Sequence, residues 1–550
     1  MQLLAKCAVA IMAVMPVRLP AQPVAAPVPA PVPAPVKAPV TIPVTVAPGM
    51  GDGLSGRLIV FAKKVEPGAR PDDAIDTSPF HPTDTAIAAR EVSALRQGVV
   101  AIVDGETDAF PGPFSALPPG TYRFQAVLDR NHDYNYAGRG EGDLVSAVVE
   151  AILPGPGPGP GSGPAAMPQL VLNKALPGMT LDQMLARAPA KDRAGLRAAL
   201  DQTQAVDFVS PALSAFRGQP VHIRGWVALP PGYGKDGATY PTVYSTGGFG
   251  STLDSARGSA AGAIRRMAAG EMPPMIWVYL DESSATGTHE FADSVNNGPW
   301  GQALTTEFLP WIEGRYAMDA RAGSRFLTGH SSGGWATLWL QTRYPEVFGG
   351  TWSTSPDSSD FHDFTNVDIY APHANAYVGA DGRALPLVRD KGKVLATFRQ
   401  FGEIEQVLGA YGGQFASFEW VFSPRGPDGR PMPLFDRATG MVDPVVAAYW
   451  RDNYDIAHRV RRDWPTLKSD LDGKIHVIVG TADTFYLDGP AHQLKAVLDG
   501  LGARSSFTFI EGKTHGDLFV RGDDRQALMK DIAWEMYAVA RPGVVRRMPK

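Results

Sequence analysis

One cysteine, Cys7, occurs in 550 residues, and it lies inside an apolar N-terminal stretch. A chain cleaved beyond that stretch holds no thiol. Structural disulfides, cysteine-based zinc sites and a cysteine nucleophile are therefore excluded. The 11 histidines include no His-x-x-x-His pair, so the common helical zinc motif is missing too. No apolar run reaches the roughly 20 residues that cross a bilayer. Basic residues are not in excess: 51 Lys and Arg face 56 Asp and Glu, a net charge of −5, without an arginine-rich arm. Nucleic acid is disfavoured as a main partner.

Glycine and proline are plentiful instead, 59 and 49 residues, and they mark the boundaries. Lys6, the apolar Cys7 to Met15 and the small residue at Pro20-Ala21 read as an export signal over 1–21. A periplasmic or extracellular location follows. Residues 22–52 repeat Pro-Val and Ala-Pro, which favours an extended spacer. Residues 53–153 hold strand-like runs bounded by Pro and Gly, among them Arg57 to Ala62 and Tyr122 to Leu128, and predict a small β-sandwich. Within it Asp129, Asn131 and Asp133 alternate as calcium-loop ligands do, with Glu141 and Asp143 beyond. Tyr134 replaces the glycine such a loop needs, so a polar hairpin is the favoured reading, with no metal expected. Residues 154–166 form a second, Pro/Gly linker.

From 167 to 550 strands alternate with helices, which predicts an α/β fold with a mainly parallel sheet covered on both faces. Active residues in such sheets sit at the carboxyl ends of strands. Residues 358–470 break the alternation. They are rich in aromatics and Gly-Pro turns and predict an insertion that caps the site.

The chemistry centres on Gly329-His330-Ser331-Ser332-Gly333. Arg325 to Thr328 before it suits a buried strand, and Gly334 to Tyr344 after it suits a helix. Strand, sharp turn with Ser, then helix is the context of a nucleophile elbow. A serine nucleophile needs a base and a carboxylate that orients it. His515 follows the predicted last strand, Ser506 to Ile510. Asp483 ends the preceding strand, with Asp488 as the rival acid five residues on. The order Ser331, Asp483, His515 matches Ser…acid…His. The Ser332 amide and a second from Gly247-Gly248-Phe249-Gly250 would form the oxyanion hole, with Gly248 the first choice and Phe249 the second. His330 and His476 read as packing residues, and His458 shows no metal partner. Phe249, Trp300 and Trp335 are candidates for the substrate pocket, with core packing the competing role.

The pentapeptide with Asp483 and His515 resembles the putative-esterase family of α/β-hydrolases, which includes feruloyl esterases, enterochelin esterases and S-formylglutathione hydrolase. Leu229-Pro230-Pro231-Gly232-Tyr233 and Trp311-Ile312-Glu313-Gly314-Arg315-Tyr316 are similar to segments of that family. The resemblance spans about Ser210 to Arg541. Many members carry His-Gly in the oxyanion loop, where this chain has Thr246-Gly247. The resemblance implies a cofactor-independent serine hydrolase acting on small-molecule or polymer-linked carboxylic esters. An acyltransferase using the same triad, and a non-catalytic binding protein on a hydrolase scaffold, remain as alternatives. The oligomeric state is open.

Overall fold

The central run Ile276–Leu280 shows how the catalytic sheet is built. All five residues are buried, as in a strand covered on both faces. Ile276, Val278 and Leu280 pack on one side with Phe308 and Leu340, whereas Trp277 and Tyr279 face Ile264 and Met536 on the other. Alternate side chains thus enter two separate cores. In the computed structural model, which describes residues 39–68, 74–153, 167–178, 180–186, 188–235, 237–409 and 411–544, this strand belongs to an eight-stranded sheet. Its spatial order is Gln204–Val209, His222–Ala228, Ile276–Leu280, Thr242–Thr246, Arg325–His330, Gly350–Thr354, Ile475–Gly480 and Ser505–Ile510. Only His222–Ala228 runs antiparallel to both its neighbours, and the strands from Ile276–Leu280 onward are parallel. The mainly parallel, doubly covered α/β sheet matches expectation.

Helices Leu253–Ala268 and Ala527–Ala540 cover one face. Ser332–Arg343 and the helical run 300–313 cover the other. The insertion is shorter than composition suggests. Helix Ile456–Leu471 packs beside Ser332–Arg343 and precedes strand Ile475–Gly480, so it is a crossover helix of the sheet. What remains before it holds the hairpin Pro386–Asp390/Lys393–Thr397 and helices Phe398–Leu408, Gln414–Phe422 and Pro444–Tyr454 around a dense aromatic cluster.

The N-terminal strands pair into one continuous nine-stranded sheet, whose inner face encloses a single core including Ile42, Leu58, Phe124 and Leu172. Two of these strands lie outside 53–153. Thr41–Val46 falls in the proline-rich stretch, because its alternating Ile42, Val44 and Val46 are buried. Leu170–Ala175 lies beyond the Pro/Gly linker and pairs with Thr41–Val46. Residues 1–21, read from the sequence as an export signal and holding Cys7, and residues 154–166, read as a linker, lie outside the described residues.

The outer face of this sheet is docked. Ile59, Phe61, Ile87, Phe110 and Val127 pack against Ile404, Val407 and Leu408 of the insertion. Arg57 donates to the Val407 carbonyl from Nε at 3.1 Å and Nη2 at 2.7 Å. The Asn135 amide donates to the carbonyls of Glu405 at 3.2 Å and Gly409 at 2.8 Å. Among the described residues no helix is long and apolar enough to cross a membrane.

Inside the insertion Arg437 donates to both carboxylate oxygens of Glu419, each at 2.9 Å. Both side chains are largely buried. Removing one partner strands the other charge away from water, at a cost of about 3–5 kcal/mol. Arg437→Met is therefore expected to lower the thermal midpoint clearly. A midpoint equal to wild type would show that the pair contributes nothing.

Candidate active site

Ser331 joins strand Arg325–His330 to helix Ser332–Arg343 with φ 60° and ψ −126°. That conformation is strained for a residue with a Cβ, and it persists only where the surroundings impose it. They do so by close packing. A Cβ on Gly329 would lie 2.1 Å from the Gly333 carbonyl oxygen, and one on Gly333 would lie 2.2 Å from the Gly247 carbonyl oxygen. Strand, elbow and oxyanion-side loop meet backbone to backbone, which explains the glycines of the pentapeptide. The helix N-terminus below Ser331 offers the Ser332 amide and partial positive charge.

The structure brings Asp483 and His515 together. Asp483 Oδ2 lies 2.9 Å from His515 Nδ1. The carboxylate is fully buried, and its Oδ1 accepts the Phe485 amide at 2.9 Å. Burial by itself would raise the Asp483 pKa, but His515 and these hydrogen bonds outweigh it and hold the group below the ordinary carboxylate range. With Nδ1–H donated to Asp483, Nε2 is left as the acceptor nitrogen. Asp488 is engaged elsewhere: its Oδ1 accepts from Arg389 at 2.7 Å. Arg389 also donates to the Asp483 backbone carbonyl at 2.7 Å, so the insertion hairpin braces the loop that carries the acid.

His515 and Ser331 line one cavity of about 590 Å³. Gly248 borders it, and a Cβ there would stand 3.0 Å from the Ser331 Cβ. The walls are apolar, with Phe249, Phe401, Ile404, Leu408 and Phe485. Of the three aromatic pocket candidates, only Phe249 lines this cavity. Trp300 is buried and stacks on His289 at 3.5 Å, with Nε1 donating to the Asn297 carbonyl. Trp335 is buried against Trp339 and Phe422. Both belong to the core, because the helices that carry them turn these rings toward neighbouring elements. His330 packs on His515 with ring centroids 4.4 Å apart, and loss of hydration pushes its pKa down to about 3. His476 stacks on Trp352 at 4.1 Å, and burial pushes it down to about 4. His458 Nε2 lies 3.9 Å from Asp452 Oδ1.

In the N-terminal domain, Asp129 accepts the amides of Asp133 at 3.3 Å and Tyr134 at 3.1 Å and closes the polar loop. Carboxylate oxygens of Asp129, Asp133 and Asp143 approach within 4.8 Å of one another. Asn131 turns away and donates to the Glu141 carbonyl at 3.2 Å.

Sequence reasoning missed a set of acids beside Ser331. Asp357 follows strand Gly350–Thr354. Its Oδ2 accepts from Ser332 Oγ at 2.6 Å and its Oδ1 from Ser331 Oγ at 3.4 Å. Glu282 and Glu290 are buried nearby, and among the described residues neither carboxyl oxygen of Glu282 has a hydrogen-bond partner. Burial first, and then the neighbouring acids, push both well above the ordinary carboxylate range. No spacing signal in the chain links positions 282, 290 and 357.

The putative-esterase family model matches residues 220–497. The chain belongs to the putative-esterase family. It is a carboxylic-ester hydrolase with an α/β-hydrolase fold. No curated protein matches it. Among solved structures, a ferulic acid esterase is similar at 16% identity, with 62% of this chain and 98% of that chain covered and a TM-score of 0.37. An S-formylglutathione hydrolase from Agrobacterium tumefaciens is 14% identical over 61% and 95% of the two chains, with a TM-score of 0.35. A ferulic acid esterase from Anaeromyces mucronatus is 14% identical over 60% and 88%, with a TM-score of 0.32.

Asp357 gives this esterase a pH signature. Burial raises its pKa to about 6, above the roughly 3.9 of an unfolded aspartate. The folded state therefore holds the proton more tightly, and stability falls as pH rises through that window. Asp357→Asn removes the ionisation cost. Its thermal midpoint should gain on wild type between pH 4.5 and pH 7.5, by the equivalent of about 1–3 kcal/mol. A difference that is constant across this range would show that Asp357 does not titrate there.

Proposed function

We propose that this esterase is an exported serine hydrolase that cleaves carboxylic esters through an acyl-enzyme on Ser331. The observation that carries the reading is the 2.9 Å contact between buried Asp483 and His515 at the rim of the cavity that holds the strained Ser331. Ser331 Oγ attacks the ester carbonyl carbon while its proton passes to His515 Nε2. Asp483 holds the imidazole tautomer and stabilises the imidazolium. The amides of Ser332 and Gly248 receive the tetrahedral oxyanion, each worth roughly 3–4 kcal/mol. Collapse expels the alcohol, which takes the proton from Nε2. Water, deprotonated by the same nitrogen, then releases the acid and restores Ser331. In the resting protein the Ser331 hydroxyl leans toward Asp357 at 3.4 Å. Catalytic hydrogen bonds are commonly loose before substrate binds, and the contact with His515 forms in the substrate complex.

The apolar walls favour an ester with a bulky hydrocarbon part on one side of the scissile bond. Export rests on the leader at 1–21 and keeps the substrate outside the cytoplasm.

A fluorophosphonate probe should label the wild-type protein on Ser331 and leave Ser331→Ala unlabelled. Asp483→Asn should lower kcat on an aryl ester by up to ~10⁴-fold, as loss of a triad carboxylate does. Asp488→Asn should lose far less. Labelling that survives Ser331→Ala, or a larger loss in Asp488→Asn than in Asp483→Asn, would refute the assignment.

A further inference from the structure

The second wall of the cavity comes from the N-terminal domain. Tyr134, Asn135 and Tyr136 line it opposite the insertion. They form the short helical turn Tyr134–Ala137, which Asp129 anchors through the Asp133 and Tyr134 amides. Tyr136 reaches furthest across. Its hydroxyl donates to the Ser251 carbonyl at 2.6 Å. Its ring meets Phe249 edge-on with centroids 4.9 Å apart. Its backbone carbonyl lies close enough to Gly250 that a Cβ there would stand 3.2 Å away.

Those three contacts grip one turn. The Ser251 amide donates to the Gly248 carbonyl at 3.0 Å, and Gly250 has φ +85° at the third position of the four. A positive φ there is the mark of a type II turn, for which glycine is suited. The turn is the oxyanion-side loop, and Gly248 abuts Ser331. Short glycine-rich turns are soft, and an oxyanion donor works only when it is held in place before charge develops. Nothing else among the described residues hydrogen-bonds to the Ser251 carbonyl.

We infer that Tyr136 is a positioning residue for the oxyanion loop, so that the N-terminal domain is a working part of the esterase site. The inference rests on the acyl-enzyme reading. Tyr136 is buried, and burial pushes its hydroxyl well above the ordinary phenol range, so the group remains a donor at all relevant pH. Asn135, bonded to Glu405 and Gly409, and Arg57, bonded to Val407, hold the domain against the insertion. Tyr136 therefore links a docked domain to the loop beside the nucleophile.

The test uses the full chain. Fluorophosphonate labelling of the wild-type protein at Ser331 is read first, and absence of labelling sinks the acyl-enzyme reading itself. With labelling established, Tyr136→Phe should lower kcat on an aryl ester by about 10-fold to 100-fold with KM little changed, less than deletion of an oxyanion donor. The control is Tyr122→Phe, which removes another buried hydroxyl of the same domain, bonded to the Pro118 carbonyl at 2.8 Å. It should cost similar stability and leave kcat at wild type. Equal kcat in wild type and Tyr136→Phe, or equal losses in both variants, overturns the inference. Should Tyr136→Phe not fold, amide hydrogen exchange of the wild-type chain decides. Residues 248–251 should open together with 134–137, and independent opening overturns the coupling.

Discussion

Backbone contact at the elbow is the constraint on which the rest depends. Ser331 keeps φ 60° because strand, helix and oxyanion-side loop approach so closely that Gly329 and Gly333 have no room for a side chain. The strain is held by packing around it, not by the turn itself. Helix Ser332–Arg343 supports the turn from below, and nearly all its residues are buried. A side chain at either glycine would separate Ser331 from Gly248.

Around that fixed point three separate pieces of chain build the site. The sheet carries Ser331, Asp483 and His515 at the carboxyl ends of three of its parallel strands. The insertion supplies apolar walls and, through Arg389, a brace on the loop of Asp483. The N-terminal domain supplies Tyr136. The buried acids Asp357, Glu282 and Glu290 crowd the helix N-terminus, where its partial positive charge favours anions. Burial and mutual repulsion raise Glu282 and Glu290 well above the ordinary carboxylate range.

The catalytic sheet was legible in the chain because most of its strands are short apolar runs with periodic helices between several of them. The insertion was legible only as a break in that rhythm. Its end was misplaced because helix Ile456–Leu471 has the same periodicity whether it belongs to a cap or to a crossover. Thr41–Val46 was hidden by its prolines. A strand tolerates proline at an edge or where no ladder donor is needed, and Pro43 sits in that run with Ile42 and Val44 buried beside it.

Residue order and local pattern determined the elbow, the acid and the histidine. Each follows a strand by a short loop, and strand ends converge in a parallel sheet whatever lies between them. Only the tertiary structure decided which aromatic rings meet the cavity, which acid faces His515, that Asp357 lies beside Ser331, and that Tyr136 of the N-terminal sheet reaches the loop of Gly248 to Ser251. Those contacts join residues far apart in the chain, such as Tyr136 and Ser251. Their meeting depends on how whole elements dock, and local propensity carries no record of that.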